Sequence, residues 1–333
     1  MRSRFGKFIL TSPQRLPWPI GIYAGLEITG ASVQNAVTNS QQQFEAVLAM
    51  HERFHTQVMQ TAMDLSTEAE IFGCQITMYD DEVPNVIGRK LTCEGEIDRL
   101  ALPSAGDGRT AVYLQTAQKL VSQSDGCPVL GSVIGPFSLA GRLFGLSEAL
   151  ILTMKDPELM DKLLRKVTQF LTKYVMAFRA QGVDGVIMAE PAAGLLSPQG
   201  LSRFSSAYIK QIVEGTQSDN FTIVLHNCAA KLIHLPKILE SGAEIFHFGA
   251  PMDLGEALKQ VDNEVILAGN LDPTSVFHNG MAEEVAAQTL ALIKLTSGHK
   301  NFIASSGCDL VPHTPVENLD AFYSTIREHY GKF

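Results

Sequence analysis

Five cysteines in 333 residues, with no CxxC spacing among them, are too few and too scattered for a disulfide framework. They stand at Cys74, Cys93, Cys127, Cys228 and Cys308, so a metal-binding role has to rest on position rather than number. The chain also lacks an uncharged apolar run of about 18 residues, which excludes a transmembrane helix. Its N-terminus is basic (MRSRFGK), but Ile9-Leu10 is too short for a signal-peptide core and is broken by Pro13, Pro17 and Pro19. The expected location is therefore the cytoplasm. A net charge of −9, with no long run of like charges, argues against a nucleic-acid surface. The content is 45% hydrophobic and 18% charged, the composition of a well-buried globular chain.

From Pro128 onward the pattern becomes regular. Residues 128–134 (PVLGSVI) read as a strand closed by Gly135-Pro136, and Asp156-Pro157-Glu158 as a helix start: an N-cap acid, a first-turn proline and a second acid facing the positive helix end. Met160, Leu163, Leu164, Val167, Leu171, Tyr174 and Phe178 make one apolar stripe, and Gly182 ends the helix as a left-handed cap. Strands are predicted near residues 20, 61, 131, 187, 224, 246, 266 and 303, each followed by enough chain for a helical crossover. That count is the signature of a (β/α)8 TIM barrel, read as one domain over 1–333 with an N-terminal extension and a turn-rich insertion near 70–110. A doubly wound open sheet is the alternative. The barrel is preferred because the unusual residues gather just after the predicted strands, and in a barrel those ends share one rim.

Two of these strand ends organise the rest. The run 221–228 (FTIVLHNC) ends in His226 and Cys228, and 301–309 (NFIASSGCD) ends in Cys308. On the fifth and eighth strands of a barrel these three side chains converge across the mouth. The small Ser305-Ser306-Gly307 segment would let the backbone approach a ligand closely. A His/Cys/Cys set is soft enough to select zinc, and three protein donors leave a fourth position free, the catalytic pattern. Two thiolates weaken the Lewis acidity of zinc, so such a site suits the activation of an incoming thiol for alkylation better than hydrolysis.

Other residues fall at the same rim. Glu190, just before Pro191, reads as a fourth zinc ligand displaced by substrate, as an acid that takes the thiol proton, or as a cap on the following loop. His247 reads as a support or substrate residue beside His226, or as a satisfied core histidine. Asp64 and Glu68 are candidates for the mouth lining against cap roles. Asn270 and Asp272 are further substrate-binding candidates, although Asp272 can equally cap a helix begun by Pro273. His51, His55, His234 and His313 belong to no constellation and read as surface or packing residues.

Several segments together resemble the uroporphyrinogen decarboxylase superfamily and, within it, the methylcobamide:coenzyme M methyltransferases. They are 64–73 (DLSTEAEIFG), 189–193 (AEPAA) with 196–200 (LSPQG), 226–228 (HNC), 268–273 (AGNLDP) and 306–309 (SGCD), and the likeness spans almost the whole chain. The His226, Cys228 and Cys308 set matches the zinc ligands of the methyltransferase branch. Decarboxylases of the family carry an arginine-rich N-terminal motif, whereas 19–25 reads PIGIYAG. Many relatives have Asp-Pro where this chain has Glu190-Pro191. The resemblance implies a zinc-dependent transfer of a methyl group from a methylcobamide, carried by a partner corrinoid protein, to a small-molecule thiol such as coenzyme M. No nucleic acid or membrane is implied, and a homodimer is left open. A tetrapyrrole decarboxylase, methyl transfer to tetrahydrofolate and a non-catalytic corrinoid-binding accessory protein are the alternatives.

Overall fold

In a computed structural model of the protein, residues 2–331 are described. The strands are β1 (Met59–Gln60), β2 (Gln75–Thr77), β3 (Asn85–Ile87), β4 (Val129–Ile134), β5 (Gly185–Ala189), β6 (Thr222–Asn227), β7 (Ile245–Phe248), β8 (Ile266–Leu271) and β9 (Phe302–Ser306). Seven of them form one parallel sheet in the order β1-β4-β5-β6-β7-β8-β9, and β2 and β3 make a separate antiparallel hairpin. The architecture is α/β and TIM-barrel-like, with helices in the crossovers. The helix predicted from Asp156 runs Pro157–Ala180, with the Leu159 N–H donating to the Asp156 carboxylate at 3.0 Å and Gly182 at φ 87°.

The first predicted strand is the correction. Residues 16–20 lie extended beside β9, where the Trp18 N–H donates to the Ala304 carbonyl at 2.8 Å and the Ala304 N–H to that of Leu16 at 3.1 Å. A helix, Tyr23–Thr29, begins where the strand was expected to continue. The reason is proline spacing. Leu16, Trp18 and Ile20 turn their backbone groups to β9, so the N–H groups facing β1 would belong to positions 17 and 19, and proline has none. The link to β1 is a side-chain bond instead, from the Trp18 indole N–H to Gln60 Oε1 at 2.9 Å.

Alternation along the strands sorts the core into two layers. Leu130, Ile187, Val224, Ile245, Ile266 and Ile303 pack together inside the curled sheet. Their neighbours Val129, Val186, Ile223, Phe246, Leu267 and Phe302 pack against the helices. The N-terminal helix Arg4–Thr11 adds Phe5 and Ile9 to the inner layer, with Phe5 edge-on to Trp18 at 6.3 Å. It enters beside Asp219, ahead of β6, and so covers the N-terminal end of the strands. Stepping two residues on from Val224, Ile245 and Ile303, the same parity turns His226, His247 and Ser305 inward near the opposite end. Among the described residues, no single helix is long and apolar enough to cross a membrane; the pair Pro136–Phe144 and Leu146–Lys155 is apolar enough together but is bent by 106°.

Candidate functional site

His226 is the next-to-last residue of β6 and Cys228 follows the strand directly, so a two-residue step carries both to the rim. Cys308 lies two residues beyond β9, past Gly307. The His226, Cys228 and Cys308 donor atoms all lie within 4.8 Å of one another, and His226 Nε2 is 3.5 Å from Cys308 Sγ. A tetrahedral zinc with typical Zn–N and Zn–S bonds spans about 3.5 Å between a nitrogen and a sulfur ligand, so the donor set fits the ion. Hydrogen bonding from Cys308 draws the Cys228 thiol down, while that thiolate pushes Cys308 up; the pair therefore presents one thiolate readily.

Glycines let the chain close around these donors. A Cβ on Gly249 would meet the Cys228 carbonyl oxygen at 2.2 Å, so the loop after β7 can press on Cys228 only through glycine. The close approach expected of Gly307 is towards other backbone, since a Cβ there would meet the Ala250 nitrogen at 2.9 Å and the Asn270 carbonyl oxygen at 3.0 Å. It serves to seat the strand ends against each other.

His247 lies within β7, fully buried behind His226, with the two Nδ1 atoms 2.9 Å apart. Its Nε2 is 2.8 Å from Ser305 Oγ, and the Ser305 hydroxyl donates to the Trp18 carbonyl. Burial, and then neighbouring His226, hold the His247 imidazole well below its ordinary range. Ser305 and the Trp18 carbonyl are participants that the sequence reading missed. The available signal was Ser305's parity with Ile303, which marks it as inward-facing.

Glu190 takes a different place from the ligand group. Its carboxylate accepts from the Phe137 N–H at 2.7 Å, the Ser138 N–H at 3.0 Å and the Ser205 hydroxyl at 3.0 Å. It thus caps the helix Pro136–Phe144 that follows the adjacent strand β4. Gly135 makes room for it, since a Cβ there would sit 2.1 Å from Glu190 Oε2. Burial raises this carboxyl to about 7 against the pull of those donors. Glu68 is likewise raised to about 7, chiefly by burial, and accepts from the Ile134 N–H at 2.9 Å.

The remaining candidates are tied into the rim. Asp64 pairs with Arg109 and accepts from Ser66, Thr67 and Tyr113 in a buried cluster, and Arg109 also reaches the partly exposed Glu70. The Asn270 amide donates to the Gly249 carbonyl at 3.1 Å and to that of Met252 at 2.7 Å, holding the loop that presses on Cys228. Asp272 caps its helix through the Thr274 and Ser275 N–H groups at 3.0 and 2.7 Å. His234 is a packing residue whose Nδ1 accepts from the Lys231 N–H at 3.0 Å. A cavity of about 440 Å³ is bordered by Ile134 at the end of β4, Ser138, Arg142, Ala192 beyond β5 and Ala229, the residue after Cys228, while His226, Cys228 and Cys308 are not among its lining residues.

The chain is similar to known proteins along most of its length. A methylcobamide:CoM methyltransferase of Methanosarcina acetivorans is 28% identical over 309 residues, covering 91% of this chain and 89% of the relative. A uroporphyrinogen decarboxylase of Methylobacillus flagellatus is 26% identical over 299 residues, covering 87% and 83%. Among solved structures, a methyltransferase from Methanosarcina mazei superposes with a TM-score of 0.87 at 22% identity over 98% of each chain. A B12-independent methionine synthase from Shewanella superposes at 0.59 with 14% identity, over 95% of this chain and 97% of that one. The uroporphyrinogen decarboxylase (URO-D) family profile matches residues 20–329. The chain belongs to the uroporphyrinogen decarboxylase family.

Proposed function

We propose that this protein is a zinc-dependent methyltransferase that moves a methyl group from a methylated corrinoid, carried by a partner protein, to a small-molecule thiol such as coenzyme M. The observation that carries the reading is the convergence of one imidazole and two thiols within 4.8 Å at the sheet's C-terminal end. The methylcobamide:CoM methyltransferase relatives, similar over about nine-tenths of the chain, support the choice of donor and acceptor. His226 Nε2 and the Cys228 and Cys308 sulfurs would hold the zinc. Zinc so held would favour the thiolate form of a bound thiol while leaving it nucleophilic.

The chain's own residues orient and shield. Ala192, Ala229 and Ile134 give the cavity an apolar wall, and Arg142 supplies a cation at its edge. The acceptor releases its S–H proton to bulk solvent, its sulfur lone pair forms the new S–CH3 bond, and the Co–CH3 bond breaks with its electron pair left on cobalt. In-line approach needs the sulfur and the methyl carbon held in register, which the rim loops provide. In this reading Glu190 and His247 act by placing the helix Pro136–Phe144 and the His226 ring. Asp64, Glu68, Asn270 and Asp272 shape the mouth that receives the substrates. The chain works as one barrel domain in the cytoplasm.

The decarboxylase relatives favour a competing reading, a tetrapyrrole decarboxylase without zinc. Demethylation of methylcobalamin, followed spectrophotometrically across thiols and tetrahydrofolate, separates the possibilities. Turnover with thiols alone is expected. Turnover with tetrahydrofolate alone would overturn the acceptor, and consumption of a porphyrinogen instead would overturn the reaction.

A further inference from the structure

The hydrogen bonds behind His226 have only one consistent direction. A carbonyl oxygen can only accept, so the single hydroxyl proton of Ser305 is committed to the Trp18 carbonyl. His247 Nε2, 2.8 Å from the same Ser305 Oγ, must then carry a proton and donate it. His247 is fully buried, and neither of its ring nitrogens bonds a carboxylate, so a charged imidazolium there would be uncompensated. A neutral ring protonated at Nε2 has its lone pair at Nδ1. That lone pair faces His226 Nδ1 at 2.9 Å, and two lone pairs at this distance would repel. The proton between them therefore belongs to His226.

We propose that Ser305 and His247, anchored on the Trp18 carbonyl, are positioning residues that lock the neutral His226 ring in the Nδ1–H tautomer and so aim its Nε2 lone pair at the two cysteines. A free neutral imidazole exchanges between tautomers, and only one of the two presents Nε2 as a donor. The anchor is rigid because the Trp18 N–H is paired with Ala304 and its indole N–H with Gln60. Deep burial of the Trp18, His247 and Ser305 side chains keeps water from offering the protons another path. The purpose of the lock rests on the proposed zinc site, whereas the tautomer itself does not.

The test uses the full chain labelled with 15N-histidine, stripped of metal and observed at neutral pH. Long-range 1H–15N correlation is expected to show His226 protonated at Nδ1 and bare at Nε2. In Ser305→Ala the His226 signals should move towards a mixture of tautomers, and zinc affinity, read by competition with a chromophoric chelator, should fall roughly 10–100-fold. Ser305→Thr keeps the hydroxyl and should keep both properties. A wild-type His226 protonated at Nε2 overturns the proposal outright. So does a Ser305→Ala protein with an unchanged tautomer and affinity, or a Ser305→Thr protein that behaves like Ser305→Ala. If the wild type shows the expected tautomer but binds no zinc, the tautomer lock stands and the zinc reading fails.

Discussion

Glu190 accepts a hydrogen bond from the Phe137 N–H at 2.7 Å, which makes it the cap of the helix that follows the neighbouring strand. Replacing it by glutamine keeps one acceptor oxygen but sets an amide NH2 near donors that the carboxylate satisfies. Glu190→Gln is expected to lower stability by about 1–2 kcal/mol in urea denaturation. Zinc content should stay at the wild-type level. Lost zinc with unchanged stability would return Glu190 to the role of a metal ligand.

The two buried carboxyls give the protein a pH signature. Glu68 and Glu190 titrate near pH 7 in the fold against an ordinary value of 4.5. The folded state holds more protons than the unfolded chain between those values. The stability they contribute is therefore fully present below pH 4.5 and is lost as the pH rises through 7. The loss amounts to about 3–4 kcal/mol per group at most. Glu68→Gln retains the acceptor for the Ile134 N–H and cannot ionise, so it should flatten this part of the profile. Urea midpoints at pH 5 and pH 8 for both proteins decide it, and an equal pH dependence in the two would count against the assignment.

The buried Asp64–Arg109 pair is a structural joint of the mouth. Arg109→Met leaves the Asp64 carboxylate buried without its cation and is expected to cost about 3–5 kcal/mol. The double change Arg109→Met with Asp64→Asn should recover much of that loss. Additive losses in a double-mutant cycle would contradict a direct pairing.

Gly249 faces the Cys228 carbonyl at a distance that leaves no room for a methyl group. Gly249→Ala is expected to destabilise by about 1–3 kcal/mol and to weaken zinc binding, because the loop can relieve the overlap only by displacing Cys228. Unchanged chelator competition in a folded Gly249→Ala protein would show that the loop does not hold the cysteine.

Most of the sheet could be read from sequence because β4 to β9 are apolar runs, closed by glycine, proline or an acid except at β6, where His226-Asn227-Cys228 follows the run, and are succeeded by helical segments. His226, Cys228 and Cys308 were recognisable for the same reason: each lies at or just past the end of a clear strand. The first strand was misread because Pro19-Ile20-Gly21-Ile22 is apolar, whereas the decisive feature was the pair of missing N–H groups at Pro17 and Pro19. Glu190 could not be resolved from its position alone. Its partners, Phe137, Ser138 and Ser205, lie far from it in sequence or on another element, and only packing brings them together. Ser305 was overlooked because a serine in a small-residue run looks like a turn former, while its role depends on Trp18 across the seam.

The most direct test of the account pairs zinc content with thiol methylation on the same samples of wild type and Cys308→Ala. The expectation is about one zinc per wild-type chain and methylcobalamin-dependent methylation of a thiol, with both lost in Cys308→Ala while the circular dichroism of the fold is retained. A Cys308→Ala protein that keeps its zinc and still methylates the thiol would contradict it.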